Sequence, residues 1–88
     1  MPQLRIDAGM PRYFFNLRND VRVDDEEGVE LPDVETARAW ASKYAVEMAA
    51  LSVAERQHLA LHHRIEVTDE SGMLLVTVEF GDVVRIET

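Results

Sequence analysis

One helical pattern constrains the fold of this chain more than any other feature. Between Leu31 and Leu51, apolar residues recur three or four positions apart, which places them along one side of a helix. These residues are Val34, Ala37, Ala41, Tyr44, Met48 and Leu51. Asp33 is a suitable N-cap because its carboxylate can accept hydrogen bonds from the free N–H groups of the first turn. The pattern predicts a core helix long enough to lie across a small sheet.

Strand-forming residues precede the helix. In Arg12–Arg18, Tyr13, Phe15 and Leu17 alternate onto one face, and Phe14 and Asn16 lie on the other with the two arginines. Asn19-Asp20 is a plausible tight turn, and residues 21–24 alternate as a short return strand. A charged loop, residues 24–28, and a brief extended segment, residues 29–31, then lead to the helix.

The segment after Leu51 leaves two interpretations open. Ser52 and Glu55 have the spacing of a capping box, which predicts the start of a second short helix. The alternative is that the main helix continues toward His58. We expect a helical but frayed or kinked stretch between Ser52 and Leu61.

A second hairpin follows the helix. Residues 64–68 form one strand, Asp69–Gly72 a turn, and Met73–Phe80 the longest strand. Alternation predicts Leu74, Val76, Val78 and Phe80 on the inner face. Residues 83–86 are a candidate for an additional edge strand. The chain is therefore predicted to be α+β, a hairpin–helix–hairpin (ββαββ) with an antiparallel sheet of about four strands and one long helix packed on one face.

Several apolar residues do not fit a two-layer monomer, because they point away from the core. They are Phe14, Met73 and Leu75 on the sheet, and Ala39, Val46 and Ala50 on the helix, with Trp40 beside the core stripe. Grouped apolar residues on a surface can mark an interface. We take these seven as the candidate interaction surface and predict a homodimer. Trp40 and Tyr44 could anchor a partner, but closing the helix onto the sheet is the favoured interpretation.

Composition limits the function classes. A chain of 88 residues predicts a single domain, which we place at residues 11–88. Residues 1–10 show no clear pattern and are interpreted as an N-terminal extension, for which a disordered conformation is one alternative. There is no cysteine and no apolar run that could span a bilayer, so we expect a cytoplasmic protein without membrane contact. The net charge of −8 disfavours nucleic acid and would favour a basic protein partner.

Two clusters of polar residues were weighed as chemical sites. His58 and His62 are four apart with His63 adjacent, but zinc sites need three or four ligands and usually further partners, so surface histidines are expected. Asp24–Glu27 lacks the ligand spacing of a calcium loop, and a solvated loop is expected there. The carboxylates of Asp24 and Glu27 have no pocket-forming context, and no motif activates a serine. We therefore predict no catalytic, metal or cofactor site, and no enzyme.

A combination of segments resembles a family of small bacterial proteins recorded as a domain of unknown function. The resemblance rests on RYFFN at residues 12–16, DEEGVELPD at residues 25–33, the alanine-rich helix, IEVTDESG at residues 65–72, and LLVTV with Phe80. It covers about residues 11–84, supports the ββαββ fold and implies Met10 as the usual start. It implies no catalytic residue.

A weaker similarity is to HicB antitoxins, in which a Pro-Asp segment joins strands to an Ala- and Glu-rich helix. It covers only about residues 31–50, and any capped helix after a strand would produce it. The leading prediction is a non-enzymatic protein-interaction or accessory module that forms a homodimer. The alternative is an antitoxin-like protein that neutralises a basic partner.

Overall fold

A computed structural model describes residues 10–87. Within this range the elements are β1 (Arg12–Arg18), β2 (Arg22–Val23), β3 (Val29–Glu30), α1 (Val34–Arg56), β4 (Arg64–Thr68), β5 (Leu74–Glu79) and α2 (Phe80–Val83). The predicted extension lies outside the described residues, apart from Met10.

The strands form one antiparallel sheet, with α1 packed on one face. The order is β2-β1-β4-β5, and β3 also pairs with β1, so β2 and β3 lie along the same side of β1. Leu17 pairs with Val23, and Tyr13 pairs with Val29. The α+β prediction is confirmed. The sheet has five strands rather than about four, because the brief extended segment before the helix pairs with β1 as β3.

The helix begins at the predicted position, and it remains regular beyond Ser52, where the favoured interpretation expected a frayed or kinked stretch. Asp33 caps it, because its Oδ1 accepts from the N–H and the hydroxyl of Thr36 at 2.8 and 2.7 Å. No second helix starts at Ser52; the same helix continues to Arg56, as the alternative proposed. It ends where Gln57 takes a left-handed φ of 55°. The N–H of Gln57 then bonds to the carbonyl of Val53 at 3.0 Å, which satisfies one of the last helical carbonyls.

The buried stripe of α1 is more alanine-rich than predicted. Its fully covered residues are Ala37, Ala41, Ala45 and Ala49, spaced every four positions. Tyr44 and Met48 pack only at its margins, and Leu51 is 46% exposed, so its place in the predicted core was wrong. The alanine side chain is small, so the helix backbone can approach the sheet closely. The helix lies chiefly over β4 and β5, where Ile65 and Val67 are fully buried.

The second hairpin departs from strict alternation at its start. The register between β4 and β5 shifts at Val67/Thr68, so that Thr68 pairs with Leu74. Val76 and Val78 face the core as predicted, but Leu74 is 52% exposed, and its predicted inner position was wrong. A bulge changes which face the next residue occupies, and residue spacing alone does not reveal it.

The predicted strand at residues 83–86 is also absent, because the short helix α2 follows β5 directly. Phe80 is fully buried at the start of α2 rather than at the end of β5. The Asp82 carboxylate accepts a hydrogen bond from the N–H of Glu79 at 2.8 Å. This bond favours a helical turn where an extended chain was expected.

Candidate interaction surfaces

The acidic loop between β2 and β3 is an integral part of the sheet. Oδ2 of Asp25 accepts from the N–H of Phe15 at 3.1 Å, and Oδ1 accepts from the N–H groups of Glu27 and Gly28, each at 3.1 Å. Phe15 lies between the parts of β1 that pair with β2 and β3, so the carboxylate replaces the strand partner missing at that position. The predicted solvated loop is therefore wrong for Asp25.

Asn16 extends this network onto the open face of the sheet, away from α1. Its Nδ2 donates to the carbonyl of Glu66 at 3.1 Å and to the hydroxyl of Thr68 at 3.2 Å. Its Oδ1 accepts from the N–H of Asp25 at 2.9 Å. A buried asparagine is stable only when its polar atoms are paired. Asn16 thus fastens the acidic loop to β1 and β4.

Ion pairs cover the neighbouring part of the open face. The mostly buried Arg18 guanidinium contacts carboxylates of Asp24 at 2.9 Å and Glu66 at 3.3 Å. Arg64 contacts Glu66 at 2.9 Å. The negative charges of Asp24 and Glu66 are therefore paired with arginine side chains of the same sheet. Asp24, Glu26 and Glu27 of the acidic run are exposed, and of these Asp24 is paired with Arg18.

Trp40 and Ala39 lie beside a groove of about 570 Å³ between α1 and the β1–β3 side of the sheet. Phe15, Val29 and Tyr44 also line this groove, with Lys43 and Glu47. Trp40 is 49% exposed, and its ring centroid lies 6.2 Å from that of Phe15. Burial raises the pKa of the Tyr44 hydroxyl, and the negative charges of Asp25 and Glu47 raise it further. The tryptophan both contacts the core and keeps half its surface open.

The other predicted surface residues occupy separate places. Val46 and Ala50 line a smaller apolar groove of about 200 Å³ with Val53, Leu59 and Val84. Met73 and Leu75 are exposed at the start of the β5 hairpin arm. Phe14 is only half-buried, and one edge of its ring lies against Gly28. The structure thus distributes the seven predicted residues over the helix and the sheet instead of joining them in one patch.

The histidines lie in the turn between α1 and β4, beyond the helix end. His58 and His62 are exposed as predicted, but His63 is 6% exposed, so the prediction of a surface histidine was wrong there. The ring of His63 packs edge-on against those of His62 and Phe80, at centroid distances of 4.9 and 5.8 Å. Its Nε2 lies 3.5 Å from Oδ1 of Asp20, and its Nδ1 is buried without a hydrogen-bond partner. In residues 10–87, no three His, Asp or Glu side chains are arranged to hold a metal ion.

Sequence reasoning missed two residues that organise these surfaces. Asp25 resembles its acidic neighbours in sequence, and only the interruption of the edge strand gives it a separate role. His63 differs from His62 only by directly preceding a strand. The N–H of Phe80 donates to its carbonyl at 2.8 Å, which holds His63 beside the buried Phe80, and the imidazole packs against that ring.

The fold defines a small two-layer α+β protein, with a single long helix on an antiparallel sheet and apolar side chains left open on both elements. A family model described as a domain of unknown function (DUF6894) matches residues 12–81, from β1 into α2. The chain therefore belongs to the DUF6894 family, which confirms the resemblance to an uncharacterised-domain family.

Two further comparisons add no relative. Neither the curated proteins nor the solved structures provide a significant match to this chain. In the part of the chain that the structure describes, no helix combines the length and apolar character required to cross a membrane.

Proposed function

We propose that this chain is a non-enzymatic protein-interaction module that acts as a homodimer. The observation that carries the proposal is the exposure of large apolar side chains on an otherwise highly charged chain. Trp40, Val46 and Met73 are 49%, 46% and 62% exposed, whereas 30% of all residues are charged. Aromatic and methionine side chains are enriched in protein interfaces, where their burial favours association.

The roles of the acidic residues support binding rather than catalysis. A general acid or base needs a carboxyl group that is free to reach a substrate. Asp25 instead accepts three backbone hydrogen bonds, and Asp24 is paired with Arg18. These carboxylates hold the loop against β1. The open groove beside Trp40 is lined mainly by apolar and aromatic side chains, which suits an apolar side chain of a protein partner.

The oligomeric state tests the homodimer. Multi-angle light scattering at micromolar concentration should give twice the 10.0 kDa of one chain. A species of 10.0 kDa at every concentration up to about a hundred micromolar would refute it, because a weaker association falls outside the range expected of a stable dimer.

The binding role is tested separately with Trp40→Ala and the matched variant Lys43→Ala on the next turn of α1. Both residues line the groove, but only the tryptophan supplies a large apolar surface. In capture from cells that express the native protein, Trp40→Ala should lose partners that wild type and Lys43→Ala retain. Equal capture by all three proteins would contradict a role for the groove.

The antitoxin-like alternative predicts that the acidic loop binds a basic protein. Glu26 and Glu27 are the exposed residues of the run that the fold leaves available, since Asp24, although exposed, is paired with Arg18, and Asp25 accepts backbone hydrogen bonds. A double Glu26→Gln, Glu27→Gln variant should then bind a basic partner more slowly, with a weaker dependence on salt. Unchanged association rates would count against this alternative.

A further inference from the structure

The groove beside Trp40 follows one side of α1. Trp40, Tyr44 and Glu47 are spaced by four and then three positions, so they succeed one another along the same side of the helix. Seven positions correspond to about two helical turns, or about 10 Å. Phe15 and Val29 complete the lining from the sheet. The groove therefore has an aromatic end at Trp40 and a carboxylate end at Glu47.

The aromatic end of the groove is open to solvent. Trp40 is 49% exposed, although its ring centroid lies 6.2 Å from that of the buried Phe15. The half-buried Tyr44 continues the aromatic lining toward the carboxylate end. The faces of aromatic rings carry partial negative charge and attract cations within about 6 Å of the ring centroid, the indole most strongly. This lining therefore suits a side chain that combines apolar surface with positive charge.

Negative charge dominates at the Glu47 end of the groove. Burial raises the pKa of the Tyr44 hydroxyl most, and the charges of Asp25 and Glu47 raise it further. Asp24 and Glu66 are paired with arginines of the sheet, but among residues 10–87 Glu47 forms no ion pair. Glu47 is also exposed, so its carboxylate can pair with a cation of another molecule.

Lys43 is the basic residue among those described in the lining, and it lies on the outer rim. It is exposed, whereas the next residue, Tyr44, is half-buried. Consecutive helical positions are about 100° apart around the axis, so Lys43 is turned toward solvent. Its flexible stem lets the ammonium group stay in water. Removing this charge should therefore strengthen the binding of a cation in the groove.

We propose that the groove receives an arginine side chain of a basic protein, with its aliphatic stem against Trp40 and its guanidinium against Tyr44 and Glu47. Arginine joins an apolar stem to a planar cation that stacks on aromatic rings and binds carboxylates through two parallel hydrogen bonds. The lysine ammonium is compact and more strongly hydrated, so it fits this lining less well. This inference rests on the proposed binding role of the groove and names the side chain that enters it.

We place this arginine on a different protein and not on a second copy of the chain. Every arginine within residues 10–87 already lies within 3.9 Å of a carboxylate of its own chain. The net charge of −8 attracts a basic protein and speeds its association. The proposed homodimer then uses another surface and leaves the groove open.

Tripeptides test the choice of side chain, because the chain has a single tryptophan, whose indole N–H gives a separate NMR signal. Acetylated and amidated Ala-Arg-Ala, Ala-citrulline-Ala, Ala-Lys-Ala and Ala-Leu-Ala are titrated into the wild-type protein at constant ionic strength. Citrulline has the shape of arginine without its charge. We expect the arginine peptide to shift the Trp40 signal with a dissociation constant of about 1–10 mM, and the citrulline peptide to bind about tenfold more weakly.

Three results of this titration would overturn the proposal. Equal binding of the arginine and citrulline peptides would show that the charge is not recognised. Tighter binding of the leucine peptide would show that the groove takes an apolar side chain. Equal binding of the lysine peptide would show that the planar guanidinium has no special place in the groove.

Two neutral substitutions on α1 test the position of the guanidinium. Glu47→Gln removes the carboxylate and should weaken binding of the arginine peptide about threefold, whereas Lys43→Gln removes the opposing charge and should strengthen it. Both residues are exposed, so neither change should disturb folding. The leucine peptide should respond to neither change. Effects of the same sign in both variants would show that the guanidinium does not lie at Glu47.

The outcomes separate this inference from the proposed binding role. If Trp40→Ala loses partners in capture, but the arginine peptide does not shift the wild-type Trp40 signal at up to about 50 mM, the binding role stands and the arginine is wrong. If Trp40→Ala also retains every partner, both fail. If the Trp40 signal of wild type shifts on dilution as the dimer dissociates, a second copy occupies the groove, and the assignment to a basic protein is wrong.

Discussion

Gly28 closes the acidic loop at a position where a side chain has no room, and Gly28→Ala should destabilise the fold strongly. Its φ is +72°, a conformation that costs an alanine about 1–2 kcal/mol. A Cβ there would also lie 2.8 Å from Cγ of Arg12, 2.9 Å from Cε2 of Phe14 and 2.9 Å from the carbonyl oxygen of Tyr13. The arginine can move, but the carbonyl belongs to β1 where it pairs with β3. Overpacking of this kind costs about 1–3 kcal/mol, so the total loss should be about 2–5 kcal/mol.

Gly72→Ala is the matched control for this prediction. Gly72 has a φ of +89°, but a Cβ there would meet no atom within 4 Å. Its loss should be limited to the backbone conformation, about 1–2 kcal/mol. Urea unfolding, analysed with a common m-value, measures both losses. In thermal unfolding, Gly28→Ala should melt at least about 4 °C below Gly72→Ala. Equal losses would refute the assignment of a steric role to Gly28.

Further variants test the contacts that hold the loops, the helix and its end. Asp25→Ala leaves a part-buried N–H of β1 unpaired and should cost about 1–3 kcal/mol in urea unfolding, whereas Glu26→Ala on the exposed side of the loop should change stability little. Hydrogen bonds, the largest from the hydroxyl of Ser71, lower the pKa of Asp69 below its ordinary 3.8, so the stability that Asp69 contributes is present above that pH and is lost as the pH falls through the lowered pKa. Asp69→Asn should therefore flatten the acid side of the plot of unfolding free energy against pH. An unchanged plot would contradict this. Ala45→Leu should cost about 1–3 kcal/mol in urea unfolding, because Ala45 is fully buried on the face of α1 that packs against the sheet. A neutral result would mean that the helix can move away from the sheet. Gln57→Gly should raise the melting temperature, since glycine accepts the left-handed φ of 55° at the helix end; a lower melting temperature would show that the side chain contributes more than the strain costs.

The open edge of β5 and the groove beside Trp40 lie on different parts of the molecule. The groove lies toward β1 and β3, on the side of the sheet away from β5. A homodimer that leaves the groove open would present two copies of it to a partner. Two linked sites can bind a bivalent partner more tightly than one site alone.

Local sequence determined the elements whose causes are local. The three- and four-residue spacing of apolar positions identified α1, and Asp33 supplied a cap that needs only the next turn. Alternation identified β1 and β4, and the turn at Asp69 closes through its own side chain, which accepts from Ser71 at 2.7 and 2.8 Å. In each case the interacting residues are at most a few positions apart, so their pattern is visible in the chain itself.

Tertiary structure decided the features that depend on distant residues. The bulge at Val67/Thr68 reversed the expected side of Leu74, and close contact with the sheet selected alanines over Leu51 for the buried stripe. Asp25 gained its role only because β1 leaves an N–H of Phe15 without a strand partner. The open edge of β5 likewise exists only once β4 pairs with β1 on its other side. Burial and backbone pairing are properties of neighbouring strands, and sequence spacing within one segment does not contain them.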